Sequence, residues 1–202
     1  MPTRSIATAL CLLFWICAES ACYRRDPAPP GLRATLKTWN IEAQEKTVEE
    51  VLPWYQASTD DETKLARSFA TQTISTARLL KAVRAKWGHD PETVIAHLCF
   101  TETPEDDNAA TVTALGDHAT LKFGDLRIAP LFLVKSNGSW RVDMAQYISA
   151  YGARLPSVIK YCDRSSEAFD KLTGAINAGE ISTAKDAINA LKTQLATLNM
   201  ER

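Results

Sequence analysis

Leu65, Phe69, Thr73, Ala77, Leu80, Val83 and Trp87 recur at intervals of three and four residues. That spacing puts side chains on one face of an α-helix. Thr59-Asp60-Asp61-Glu62 precedes them, a hydroxyl followed three residues later by a carboxylate, as in a capping box. Gly88 offers the usual stop. The pattern predicts one helix of about 25 residues. Its apolar face needs a partner surface, which the rest of the chain has to supply.

That surface is legible downstream, where the period changes from about 3.6 to 2. From Ala109, "ATVTALG", "HATLKF" and "LRIAPLFLVK" are short β-rich runs separated by Gly116-Asp117 and Gly124-Asp125. Asn137-Gly138 is a strong two-residue hairpin signal. It predicts that Lys135 faces Trp140, Leu133 faces Val142 and Leu131 faces Met144, all on one sheet face. Phe132, Val134, Arg141 and Asp143 then share the other, half-solvated face. The apolar face is expected to hold the long helix.

Flanking segments are helical in pattern. Thr47 to Glu50 has capping-box spacing, and Pro53 marks a kink or a fresh start. Asp90 with Pro91 opens a short helix to about Leu98. After the strands, Ala145 to Cys162 is ambiguous, interrupted by Gly152 and Pro156. Asp163 or Ser165 can cap a helix that Gly179 breaks. Ser182 can cap a last one, with Ile188, Leu191, Leu195 and Leu198 as its seam. That pair reads as a helical hairpin packing on its own domain, or alternatively as a homodimer contact. The expected fold class is α+β: long N-terminal helices on a curved antiparallel meander of about four strands, then a C-terminal helical hairpin.

The amino terminus bears on location. Arg4 precedes an uncharged apolar run of twelve residues, Ile6 to Cys17, too short to span a bilayer, which takes about 20. Small residues follow at Ala18, Ser20 and Ala21, the shape of a secretory signal. Glu19-Ser20-Ala21-Cys22 resembles the lipobox of bacterial lipoproteins at its last three positions and departs at the first, where Glu19 replaces Leu or Val. Two outcomes stand open: lipidation of Cys22, or plain cleavage after Ser20 or Ala21. Residues 1–21 read as a signal peptide, 22–40 as a Pro- and Arg-rich tether, 41–150 as the α+β domain and 151–202 as the helical segment. The expected location is the periplasm or cell envelope.

Five cysteines are present, two of them, Cys11 and Cys17, within the signal. Lipidation of Cys22 would leave Cys99 and Cys162 as a disulfide pair, closing a loop of about 60 residues for ~2–4 kcal/mol. Two buried thiols are the alternative. The net charge of −1 lacks the concentrated basic face that nucleic acid requires.

Chemistry-bearing motifs are few. Among three histidines, His89 follows Gly88, His97 lies in the short helix before Cys99, and His118 falls at a hairpin turn. H-E-x-x-H, H-x-x-x-H and C-x-x-C are all missing, so no metal site is predicted. His97 and Cys99, two apart on a helix, face different ways and do not combine with Glu102 into a nucleophile cluster. Glu102, Glu105, Asp106 and Asp107 read as a solvated acidic loop rather than a calcium loop, whose glycine and spacing are missing. No phosphate-binding or dinucleotide motif occurs, and no cofactor is expected. Trp39, Trp54 and Tyr55 form an aromatic group that could line a ligand groove or fill a core edge.

The closing "LFLVKSNGSWRVDM", after long helices and antiparallel strands, resembles the final strands of secreted bacterial members of the nuclear-transport-factor-two-like superfamily. The resemblance covers residues 41–148 and implies a cone-shaped α+β fold with a sheet curled around a helix. Enzymes of that superfamily set an Asp or His on the concave face; here Leu131, Leu133, Trp140, Val142 and Met144 stand there instead. The expectation is therefore a non-catalytic envelope protein that binds a protein or a small apolar ligand. The alternative is a small pocket enzyme, an isomerase or hydratase of the polyketide-cyclase type, with His97 or His118 as base. A dimerising structural module is the third reading.

Overall fold

A computed structural model describes residues 31–32, 42–100, 111–122 and 130–200, and the fold is told from these. The elements run α1 (Val48–Val51), β1 (Tyr55–Gln56), α2 (Asp60–Trp87), α3 (His89–Phe100), β2 (Thr111–Leu115), β3 (His118–Lys122), β4 (Leu131–Ser136), β5 (Ser139–Asp143), α4 (Met144–Tyr151), α5 (Leu155–Asn177) and α6 (Ala184–Met200). The class is α+β, as expected. The sheet, however, has five strands in the order β1-β5-β4-β3-β2, and β1 joins β5 in parallel. It is a mixed sheet rather than a purely antiparallel meander. Among the described residues, the N-terminal part holds one long helix, since residues 43–56 form two 3₁₀ turns, the single turn α1 and β1.

The local signals for α2 work as read. Thr59 Oγ1 accepts the Glu62 N–H at 3.2 Å, while the Glu62 carboxylate reaches the Ser58 N–H at 2.6 Å, one residue beyond the usual partner. Gly88 ends the helix with φ +89°, a conformation glycine adopts without the Cβ penalty. The single-face expectation proves too narrow. Leu65, Phe69, Thr73, Leu80 and Val83 are buried, but so are Ala66, Ser68, Ala70, Gln72, Ile74, Ser75, Thr76, Leu79 and Ala82. α2 is the central helix, with only a thin solvent stripe. Along that stripe Arg67 pairs with Glu49 at 2.6 Å, Arg78 donates to the Lys46 carbonyl at 3.3 Å, and Lys81 pairs with Glu45. The segment before β1 thus runs antiparallel along the helix that follows it.

The element that covers α2 most extensively is α5. It was expected to begin at Asp163 or Ser165, yet it begins at Leu155, with Pro156 in its first turn where a missing N–H costs nothing. Ser165 and Ser166 sit in mid-helix, and both hydroxyls donate to the Cys162 carbonyl, at 2.9 and 2.7 Å. Ser165 Oγ also accepts from Gln72 Nε2 at 2.6 Å, so a buried polar contact joins the two longest helices. α6 starts one residue later than Ser182 implied: Thr183 Oγ1 accepts the Asp186 N–H at 3.2 Å. α6 packs on α5 and α3, burying Ala187 and Leu191. One apolar cluster runs from Leu32 through the strands to Leu191. The core therefore crosses the boundary drawn at residue 150.

The hairpin register holds where it rests on local chemistry. Lys135 pairs with Trp140 and Leu133 with Val142, and Asn137 and Gly138 take φ +51° and +81°, as a type I′ turn demands. Leu131 does not face Met144. Asp143 Oδ1 accepts the Gln146 N–H at 3.3 Å, which caps α4 and draws Met144 into the helix. Leu131 pairs instead with Leu121 on β3. The apolar face meets α2 through Tyr55, in register with Val142: its hydroxyl shares a 3.3 Å hydrogen bond with Thr73 and its ring stands edge-on to Phe69.

Two substitutions gauge this core. Phe69→Ala, at a fully buried position in contact with Tyr55 and Tyr147, is expected to lose about 3–5 kcal/mol. Ser165→Ala strands the Gln72 amide and is expected to lose about 1–3 kcal/mol. Equilibrium denaturation of both variants checks the order.

Candidate functional site

Strand alternation sends Phe132, Val134, Arg141 and Asp143 to the face opposite the core layer, and three of them are half-buried, as anticipated. Asp143 is the exception, with only 6% of its surface exposed. Its two oxygens divide the work: Oδ1 caps α4, and Oδ2 lies 3.4 Å from Nδ1 of His118. His118 opens β3 opposite Val134, which in turn faces Arg141. The imidazole therefore reaches across β4 toward a carboxylate on β5. The His118 side chain is 61% exposed, so this is a surface base beside a buried acid. Gln56 is in register with Asp143 on β1. Its Oε1 is buried without a hydrogen-bond partner.

Taken together, the outer face offers an imidazole beside a carboxylate, with Gln56 on the strand next to that carboxylate. That arrangement can exchange a proton or hold a polar group. No nucleophile accompanies it among these residues, and no group of three or more His, Cys, Asp or Glu side chains able to hold a metal occurs among the described residues. Sequence alternation foretold the side on which Asp143 lies. It could not foretell the reach of His118, which depends on the sheet order.

A second polar cluster joins α2 to α3. Glu92, with 6% of its side chain exposed, accepts from Arg84 Nε at 2.5 Å and lies 3.0 Å from His89 Nδ1. Asp90 was expected to cap α3, but the helix begins at His89 and Asp90 falls in its first turn. The cluster fastens the corner at Gly88 and is a structural feature.

The remaining sequence candidates disperse. Tyr55 is a core residue, and Trp54, half-buried in a 3₁₀ turn, packs against that core. Trp39 and Cys22 lie outside the described residues, as do Glu102, Glu105, Asp106, Asp107 and the Gly124-Asp125 turn. His97 falls within α3, its side chain outside the described set. Cys99 and Cys162 are both buried. Comparison of the chain with known protein families, characterised proteins and solved structures finds no match.

Two measurements follow from these placements. Burial pushes the phenols of Tyr55 and Tyr147 well above the ordinary tyrosine range. Folding keeps both neutral while the unfolded chain ionises near pH ~10, so stability is full below that pH and falls as pH rises above it. Denaturation midpoints between pH 9 and about 12 should drop as tyrosinate absorbance appears, and Tyr147→Phe should flatten the drop. In the second, alkylation followed by mass spectrometry should leave Cys99 and Cys162 unlabelled in the native protein and label both once it is denatured. Failure of the denatured chain to label without a reductant would mean that the two are bonded.

Proposed function

We propose that this protein is an exported envelope protein, lipid-anchored or released, whose role is to bind or scaffold another protein rather than to catalyse a reaction. The observation that carries the reading is the filled inner face of the sheet. Leu121, Leu131, Leu133, Trp140 and Val142 are each at most 3% exposed there, and all belong to the main core cluster, which also holds the long helix. In the nuclear-transport-factor-two-like superfamily that chain segment 41–148 resembles, this is the face on which enzymes place their Asp or His. The α+β class and the long helix meeting the sheet at Tyr55 are in keeping with the resemblance; the integral α5 is an addition to it. A filled face favours a protein partner over a small apolar ligand, which would need that volume.

The second reading, a small isomerase or hydratase using His118, draws its support from the Asp143 carboxylate 3.4 Å away. It is the weaker one, because a base exposed on an open sheet face excludes no water from a substrate.

Export and anchoring rest on residues 1–22 and have a direct test. The full chain is produced in a bacterium that processes lipoproteins, and the mature amino terminus is examined by mass spectrometry. The expected result is loss of residues 1–21 with a diacylglyceryl group on Cys22, or an unmodified terminus at Ala21 or Cys22 in the soluble envelope fraction. Recovery of the intact amino terminus would sink the export proposal.

A further inference from the structure

We infer that β2 is a docking edge for a second copy of this chain, paired antiparallel about Thr113. The two edges of the sheet are unlike. β1, at one end, is two residues long, and its Tyr55 is locked into the core. β2, at the other, has five residues, Thr-Val-Thr-Ala-Leu, with no charge, proline or glycine among them. Open edges usually carry such a guard, because unpaired N–H and C=O groups recruit other strands.

Exposure marks the same strand. Leu115 is 84% exposed, twice the value of Val94, the other large apolar residue on the surface of the described set. The core-facing layer also stops abruptly there. Ala119 and Leu121 on β3 are buried, while their register partners Ala114 and Val112 on β2 are exposed and half-buried. Among the described residues, the apolar layer of the sheet runs off its own edge.

Backbone geometry then fixes the register. Gly116 and Asp117 form a two-residue loop with Gly116 at φ +59°, so Leu115 and His118 are the hydrogen-bonded pair that closes it. Alternation makes Thr113 and Thr111 bond inward to β3 and leaves Val112 and Ala114 with N–H and C=O pointing outward. A two-fold axis at Thr113 satisfies all four groups: Val112 of one copy exchanges both bonds with Ala114 of the other, and the reverse. The same axis sets Thr111 opposite Leu115. It brings the end of β3 carrying Lys122 level with the end of the neighbouring hairpin carrying Asp117, so that opposite charges flank the new pairing on both sides. A strand of another sequence could take the outward backbone bonds, but it would lack these charged ends. The C-terminal seam, the other dimer candidate, is occupied, since Ala187 and Leu191 are buried within the chain's own fold.

An interface of one short strand is small, so dimerisation is expected at about 10–100 µM. Sedimentation equilibrium of the full mature chain should show a mass rising toward twice the monomer over that range. Ala114→Pro removes one outward N–H and no bond to β3, and Ala114→Lys puts a charge on the edge; both should remain at monomer mass with an unchanged thermal midpoint. Should either variant fold poorly, Thr113→Cys decides the matter. The axial pair is a non-hydrogen-bonded one with Cα atoms about 4.5 Å apart, within disulfide reach. Oxidation should therefore give a covalent dimer from Thr113→Cys and none from Thr120→Cys, one strand inward. A wild-type chain that stays monomeric, or a dimer that survives both Ala114 variants and does not cross-link through position 113, overturns the inference.

Discussion

The packing of α5 on α2 is the contact on which the rest of the molecule depends. Two helices of 23 and 28 residues lie together over most of their length. Close approach explains residues that an amphipathic pattern leaves unexplained: Ser68, Ser75 and Thr76 on α2, and Ser165 and Ser166 on α5, are all buried. Small side chains allow the approach, and hydroxyls bonded back to their own helix, as Thr76 is to the Gln72 carbonyl, avoid stranding polar atoms. The Gln72–Ser165 hydrogen bond sets the register between the two helices. With α5 removed, that side of α2 would face water and the sheet would keep only part of its core.

Around this pair the structure builds in layers. The sheet meets α2 through Tyr55, and Tyr147 of α4 closes the end of the sheet by touching Phe69 on one side and Phe132 on the other. The Tyr147 hydroxyl donates to the Pro130 carbonyl at 3.0 Å. These aromatic rings bind helix, sheet and the α4 corner into one core. Among the described residues, such an interior leaves the sheet's outer face and its β2 edge outside the core.

The candidate site illustrates how far a sequence carries. Alternation along β4 and β5 placed Asp143 on the outer side, and a turn signal placed His118 near a strand end. Their meeting needed the order β5-β4-β3, which no local signal encodes. The burial of the Glu92 carboxylate is likewise encoded by no local signal, because its partner Arg84 lies across a helix break. Cys99 and Cys162 could be read as core residues from their apolar neighbours, but their depth follows from the helices that enclose them.

By itself the sequence determined the features decided within a few residues: the start and stop of α2, the type I′ turn at Asn137-Gly138, the pairing of Leu133 with Val142, and the α+β class. Each rests on torsional preference or on side-chain reach along one stretch of chain, so neighbours suffice to decide it. Only the tertiary structure decided that α2 is buried nearly all round, that β1 joins the sheet in parallel, that α5 begins at Leu155 and belongs to the core, and that Asp143 caps a helix while facing His118. These depend on surfaces from distant segments competing for the same apolar and polar groups. That competition is settled by the whole packed chain and is written in no single stretch of it.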